Sequence, residues 1–331
     1  MKSLLSPLWL SRLLLTILLF GSAEILPWAT LEHTTLPDLL LRGVGYGLLV
    51  ILLLDLAVRY RVRDLFDAMT LIALIGLLAS LLITPDVTYA DFPRTLATRA
   101  LGSQTITTAV ALGLFLVLIH ATPAYRSRAL AGLAWIGFYW GTWMRWTPIY
   151  GTLFQQPVPL GQMFAIMGIW MGSVLFIYGM LLRSRAPFDP NAFRLLLTPF
   201  LLLVAALLSL FGVQASRRLL DATALFITLI LIGFSWLVLW FRRSPQHASL
   251  LETHFPIQPP PARWFFLAAA LFSAMTLLAY YLPLVGDIEH NQLWIMEIGY
   301  AAVGLIWLPA MACVIAVHGI DRVMRSRQFE L

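Results

Sequence analysis

The sequence predicts an all-α polytopic integral membrane protein of about ten transmembrane helices, with its N- and C-termini in the cytoplasm. Three observations predict it. Apolar stretches of about 20 residues recur along the chain, each long enough to cross a hydrocarbon core of about 30 Å. Charged residues make up 11% of the chain, against about 25% in soluble domains. The arginines gather in every second short turn between the apolar runs, all on one side, which is the pattern that sets membrane topology.

The spans follow in order. The first, 7–27, comes after a basic start and is not followed by a clear small-residue cleavage site, so it reads as a retained helix rather than a cleaved signal. Spans 38–58 and 65–84 flank the basic turn "RYRVRD" (59–64). Spans 102–121 and 129–147 flank "YRSR" (125–128), and spans 160–182 and 193–213 flank "RSR" (183–185). Span 219–241 runs into "FRRSPQH" (241–247), span 264–284 follows, and span 292–318 precedes the tail "DRVMRSRQ" (321–328). The opposite connections, 30–38, 84–94 and 286–292, are richer in acids. The positive-inside rule therefore places both termini in the cytoplasm, with Arg217 and Arg218 as the one dissenting pair.

The chain reads as a single transmembrane helical domain, 1–331, interrupted by a Pro-rich cytoplasmic linker, 242–263, between helices 8 and 9. Its "HFPIQPPPAR" favours an extended spacer. Pro199 and Pro309 fall inside expected spans and predict kinks there. The expected location is the cell membrane, of the bacterial inner-membrane type.

Composition excludes several activities. The net charge of +6 rests almost wholly on arginine, with Lys2 the only lysine. These arginines lie in turns between apolar runs, so they signal topology rather than nucleic-acid binding. A single lysine at position 2 leaves none inside a helix for a retinal Schiff base. Cys313 stands alone, so no internal disulfide and no cysteine cluster forms. Only His120 and His318 lie near spans, both at ends on the same side, which does not suit facing haem ligands. No G-x-S-x-G, H-E-x-x-H or Walker A pattern occurs. The expectation is no cofactor and no metal, and a chain that leans away from enzyme activity.

Ionisable side chains inside a bilayer are costly, so each is a candidate site. Glu24, Arg42, Asp55, Arg145, Asp221 and Glu297 lie within or near span ends, and none lies at a span centre. Ion-coupled carriers commonly place such groups near the midplane, so their absence there counts against that class.

One stretch stands out, "GFYWGTWMRWTPIY" at 137–150. It runs to the expected outer interface, where Trp and Tyr settle because their rings are apolar and their N–H or O–H groups need a wet partner. Gly137 and Gly141 form a small-residue face that lets a neighbouring backbone approach. Arg145, Trp143, Trp146 and Tyr150, with Gln155 and Gln156 in the following loop and Glu24 and Glu297 at similar depth, make a candidate ligand site. Aromatic walls, a guanidinium and amides suit a quinone or lipid headgroup. Alternatively, Arg145 forms a structural pair with Glu24 or Glu297. The expected function is a non-catalytic membrane subunit that anchors or scaffolds a membrane complex and holds lipid or quinone near its outer face. Its partners are membrane lipids and other membrane subunits. The alternatives are a transporter or flippase for an amphipathic solute, and a membrane enzyme acting on a lipid-linked substrate, for which Glu32 and Asp38 are the acids available.

Overall fold

The computed structural model describes residues 6–25, 35–89, 91–120, 122–146, 158–184, 189–217, 221–243, 248–254, 260–282 and 288–328. Among these the chain is helical, without strands. The ten principal helices are α1 (Pro7–Phe20), α2 (Leu36–Arg59), α3 (Leu65–Leu82), α4 (Gln104–Ile119), α5 (Pro123–Trp146), α6 (Leu160–Arg183), α7 (Leu197–Arg217), α8 (Ala222–Arg242), α9 (Ala262–Tyr281) and α10 (Ile288–Gln328). Two segments wind more loosely as π-helix. Gly21–Ile25 continues α1, and Leu96–Ser103 leads into α4. Each expected span falls on one of these helices. Among the described residues, nine segments are long and apolar enough to cross a membrane. The remaining helix, α5, has the length but carries the tryptophans, tyrosines and glycines of the 137–146 stretch, which dilute its aliphatic content.

Local chemistry explains the ends. Ser6, Asp64 and Asp221 cap α1, α3 and α8, each accepting a backbone N–H of the first turn. Thr35 and Asp38 serve the start of α2 in the same way. The Thr35 hydroxyl donates to Asp38 Oδ2 at 2.7 Å and accepts the Asp38 N–H at 3.4 Å. Pro199 corrects an expectation. It is the third residue of α7, where no intrahelical acceptor exists for its missing N–H, so it starts the helix instead of kinking it. Pro309 does lie inside α10.

The chain divides into two compact units. The first comprises Met1–Gly43, Val110–Asp189 and His254–Leu293. Its tightest feature is the crossing of α5 and α9. A side chain at Gly137 would start 2.6 Å from the Phe272 carbonyl oxygen, and one at Gly141 would start 2.2 Å from that of Thr276. Only glycine permits this approach, and the Thr276 hydroxyl then reaches the Gly137 carbonyl at 3.1 Å. Around the crossing, Trp140, Met144, Met163, Met167, Phe272 and Tyr280 form a buried cluster.

In the same unit α1 packs on α6. The Trp170 indole N–H donates to the Ile17 carbonyl at 2.9 Å, and Gly21 leaves room for that ring. A Cβ at residue 21 would lie 1.8 Å from Trp170 Nε1. Gly21→Ala is therefore expected to expel the indole, break the bond to Ile17 and cost about 1–3 kcal/mol. Thermal unfolding in detergent, followed by tryptophan fluorescence, checks this. A melting curve identical to wild type would refute the packing described.

The second unit comprises Val44–Ala109, Pro190–Thr253 and Trp294–Leu331. Here α3 and α8 pack side by side. Ala73, Val238, Trp307 and Met311 bring α10 into that core. The π-helical segment before α4 lies against α10 through Gly102, whose added Cβ would be 2.5 Å from the Tyr300 oxygen, and Gly304, 2.7 Å from the Ala97 oxygen. Five hydroxyls of this unit are satisfied within their own helical turns. Ser80, Thr98, Thr108, Thr228 and Ser235 each donate to the carbonyl four residues back, which removes the cost of an unpaired donor in an apolar core.

Part of the Pro-rich connection is folded. Leu250–His254 forms a helical turn built on a capping box, with Ser249 N–H donating to Glu252 at 2.7 Å and Glu252 N–H donating to the Ser249 hydroxyl at 3.2 Å. The Leu250 N–H reaches the Val62 carbonyl at 2.6 Å, and Ser249 and Leu251 are buried. The turn therefore docks on the α2–α3 connection.

Candidate functional site

The charged side chains are ordered mainly by ion pairs at helix ends. Asp55 is fully buried near the end of α2. It accepts from Arg59 Nε at 2.8 Å and Nη2 at 2.9 Å, one turn on, and from the Leu195 N–H at 2.7 Å. Arg59 completes the arrangement by donating to the Leu195 carbonyl at 3.0 Å and lying over the Phe200 ring at 4.8 Å. This i, i+4 pair thus grips both backbone groups of Leu195 and fixes where α7 begins.

A second cluster joins α8 to α3. Arg242, the last residue of α8, donates to Asp67 and to Asp64, the latter at 2.5 Å. Its guanidinium lies 4.9 Å from the centre of the Phe66 ring. Arg63 adds a looser approach to both aspartates at 3.8 and 3.9 Å. Just outside the span, the Tyr60 hydroxyl accepts from the Trp236 indole. Burial pushes the Tyr60 phenol above its ordinary value.

The third pair lies in the first unit. Glu24 sits on the π-helical turn after α1 with 4% of its surface exposed, and Arg42 donates to it at 2.6 Å. Of the two carboxylates considered as partners for Arg145, Glu24 is thus shown paired with Arg42. The wide π turn brings the carboxylate to Arg42, seven residues into α2.

The other candidate residues converge only in part. Trp143 packs against the buried cluster at the α5–α9 crossing. Arg145 lies 5.6 Å from the centre of the Tyr280 ring. The Tyr280 hydroxyl donates to the Val158 carbonyl at 2.9 Å, and the Val158 N–H reaches the Met144 carbonyl at 3.3 Å. These contacts draw the end of α5, the end of α9 and the approach to α6 together. Trp146 closes α5 and Glu297 lies on α10, with their side chains outside the described residues. Tyr150, Gln155 and Gln156 also fall outside them.

Sequence reasoning missed Arg12. It lies six residues into α1, 6% exposed, with its guanidinium 4.9 Å from the Trp9 ring centre. An arginine inside a leucine-rich run is itself a signal, because a charge in an apolar segment has to be paired or shielded. Sequence reasoning also missed Asp64, placed in the basic turn 59–64, and Asp67, placed in the span 65–84. The D-x-x-D spacing that puts one aspartate at the cap and the next in the first turn was visible.

Helices of this length and apolarity define, among the described residues, an all-helical, multi-pass membrane protein. No protein-family model, curated protein or solved structure matches the chain.

Proposed function

We propose that the protein is a non-catalytic integral membrane subunit, in a cell membrane with both termini cytoplasmic, that anchors or scaffolds a membrane complex and holds lipid or quinone near its outer face. The observation that carries this reading is the use made of the buried charges. Asp55 is saturated by Arg59 and Leu195, Arg242 is shared between Asp64 and Asp67, and Glu24 is held by Arg42. Each pair ties one helix end to another and serves rigidity. Aromatic and methionine side chains around Arg145 and Tyr280 supply an apolar wall with one cation at the proposed outer face, which suits an amphipathic headgroup.

A transporter or flippase is the second reading, favoured by the π-helical turn that carries Glu24, since such turns recur at functional sites. The enzyme reading loses one of its acids to local structure, because Asp38 is engaged with Thr35 at the start of α2.

Purification from the native source in mild detergent, with mass spectrometry of what remains bound, tests the proposal. Stoichiometric partner subunits are expected, together with a lipid or quinone that Arg145→Ala releases. A solitary protein that moves an amphipathic solute across vesicles would overturn it in favour of the transporter.

A further inference from the structure

We propose that the end of the second unit where α8 finishes is a binding surface for anionic phospholipid headgroups, with the last turns of α10 as its outermost part. The apolar windows of α2, α8 and α10 end at Arg59, Arg242 and His318. Side-chain contacts bring these ends together within the unit. Arg242 reaches the start of α3, Arg59 reaches Leu195 before α7, and the His318 ring stacks on Phe241 at 6.0 Å with 5° between planes.

Because His318 stands level with Phe241, the ten helical residues from 319 to Gln328 project past the end of α8. At 1.5 Å per residue, Arg322 lies about 6 Å beyond the apolar window and Arg327 about 14 Å beyond it. A headgroup layer adds about 5–7 Å to each side of the hydrocarbon core. The chain therefore stays helical, carrying Arg322, Arg325 and Arg327, through that layer and beyond it.

Three aspartates at this end serve fold-holding pairs, Asp55 with Arg59 and Asp64 and Asp67 with Arg242, while Asp321 on the α10 extension offsets one of its three arginines. Glu252 accepts a backbone N–H in its capping box. Arg194 and Arg243 are exposed beside them. Those two and the three arginines of the α10 extension, less Asp321, leave a cationic surplus in the headgroup layer and within a Debye length beyond it. Cations held there attract anionic lipid within a Debye length of about 8 Å.

The test uses the full-length protein in bilayer nanodiscs of equal parts phosphatidylglycerol and phosphatidylcholine. Native mass spectrometry reads which lipid stays bound on release. Wild type is expected to retain phosphatidylglycerol over phosphatidylcholine by about tenfold. Changing Arg194, Arg243, Arg322, Arg325 and Arg327 to Gln should bring the ratio close to one, while changing the same five to Lys should preserve it. Arg126→Gln with Arg128→Gln, in the first unit, should leave it unchanged. Equal retention of both lipids by wild type overturns the proposal, as does a preference that survives the five Gln changes. Competition by inorganic phosphate at the same concentration would assign the surface to a free anion and overturn it too.

Discussion

Asp55→Ala is expected to destabilise the protein by about 3–5 kcal/mol, the largest loss from any single change in the second unit. The aspartate is fully buried and answers three donors, two on Arg59 and the Leu195 N–H. Removing it leaves a partly buried guanidinium and a backbone N–H without their acceptor, and an apolar surrounding offers no replacement. Asp55→Asn separates the contributions. The amide keeps the shape and can accept from Leu195 but cannot neutralise Arg59, so an intermediate loss is expected. Melting in detergent measures both variants. If Asp55→Ala melted with wild type, the grip of α2 on the start of α7 would be decorative.

Gly141→Ala is the counterpart in the first unit. Its new methyl group would start 2.2 Å from the Thr276 carbonyl oxygen, a backbone atom that cannot swing aside. The two helices must separate, which loosens the Trp140, Met144 and Phe272 packing and strains the Thr276 bond to Gly137. A loss of about 3 kcal/mol is expected, at the upper end for overpacking. The control lies on α6. Gly168 and Gly172 form an equivalent small-residue pair in sequence, yet a Cβ on either meets nothing within 4 Å. Gly168→Ala and Gly172→Ala should leave stability no lower than wild type. Equal losses at Gly141 and Gly168 would mean that intrinsic helix flexibility, and not the crossing, sets the cost.

That contrast marks how far the sequence was legible. The spans could be read because hydropathy averages over about 20 residues and tolerates local irregularity. The caps at Asp64 and Asp221 carry a signal in residue type and position that goes unread when the spans are placed by hydropathy. The pairs Gly43 with Gly47, Gly137 with Gly141 and Gly168 with Gly172 look alike in sequence, and only the packing of α9 against α5 makes Gly137 and Gly141 indispensable. Pro199 looked like an interior kink because hydropathy alone starts its span early. The hold of Asp55 and Arg59 on Leu195 moves the start of α7 to Leu197, and the same proline becomes part of a helix start.

The candidate site shows the same division. Arg145 and Trp143 were identified because an arginine among tryptophans is rare in an apolar chain. Their neighbours were not identifiable. Tyr280 lies well over a hundred residues from Arg145 and carries no local signal, yet its ring lies under the guanidinium and its hydroxyl fixes Val158. Glu24 and Arg42 were each recognised as costly charges, and their pairing rests on a π turn that no periodicity announces.

Sequence by itself determined that this chain is helical and apolar enough to cross a membrane many times, where its turns fall, and which charges need partners. Those properties depend on composition and short-range periodicity, which each segment carries independently. Tertiary structure alone decided which carboxylate meets which guanidinium, which glycines are pressed against a backbone, and that α10 runs on as a helix past its apolar window. Those outcomes depend on the meeting of segments far apart in the chain, where differences of one or two ångströms separate an ion pair from an unpaired charge.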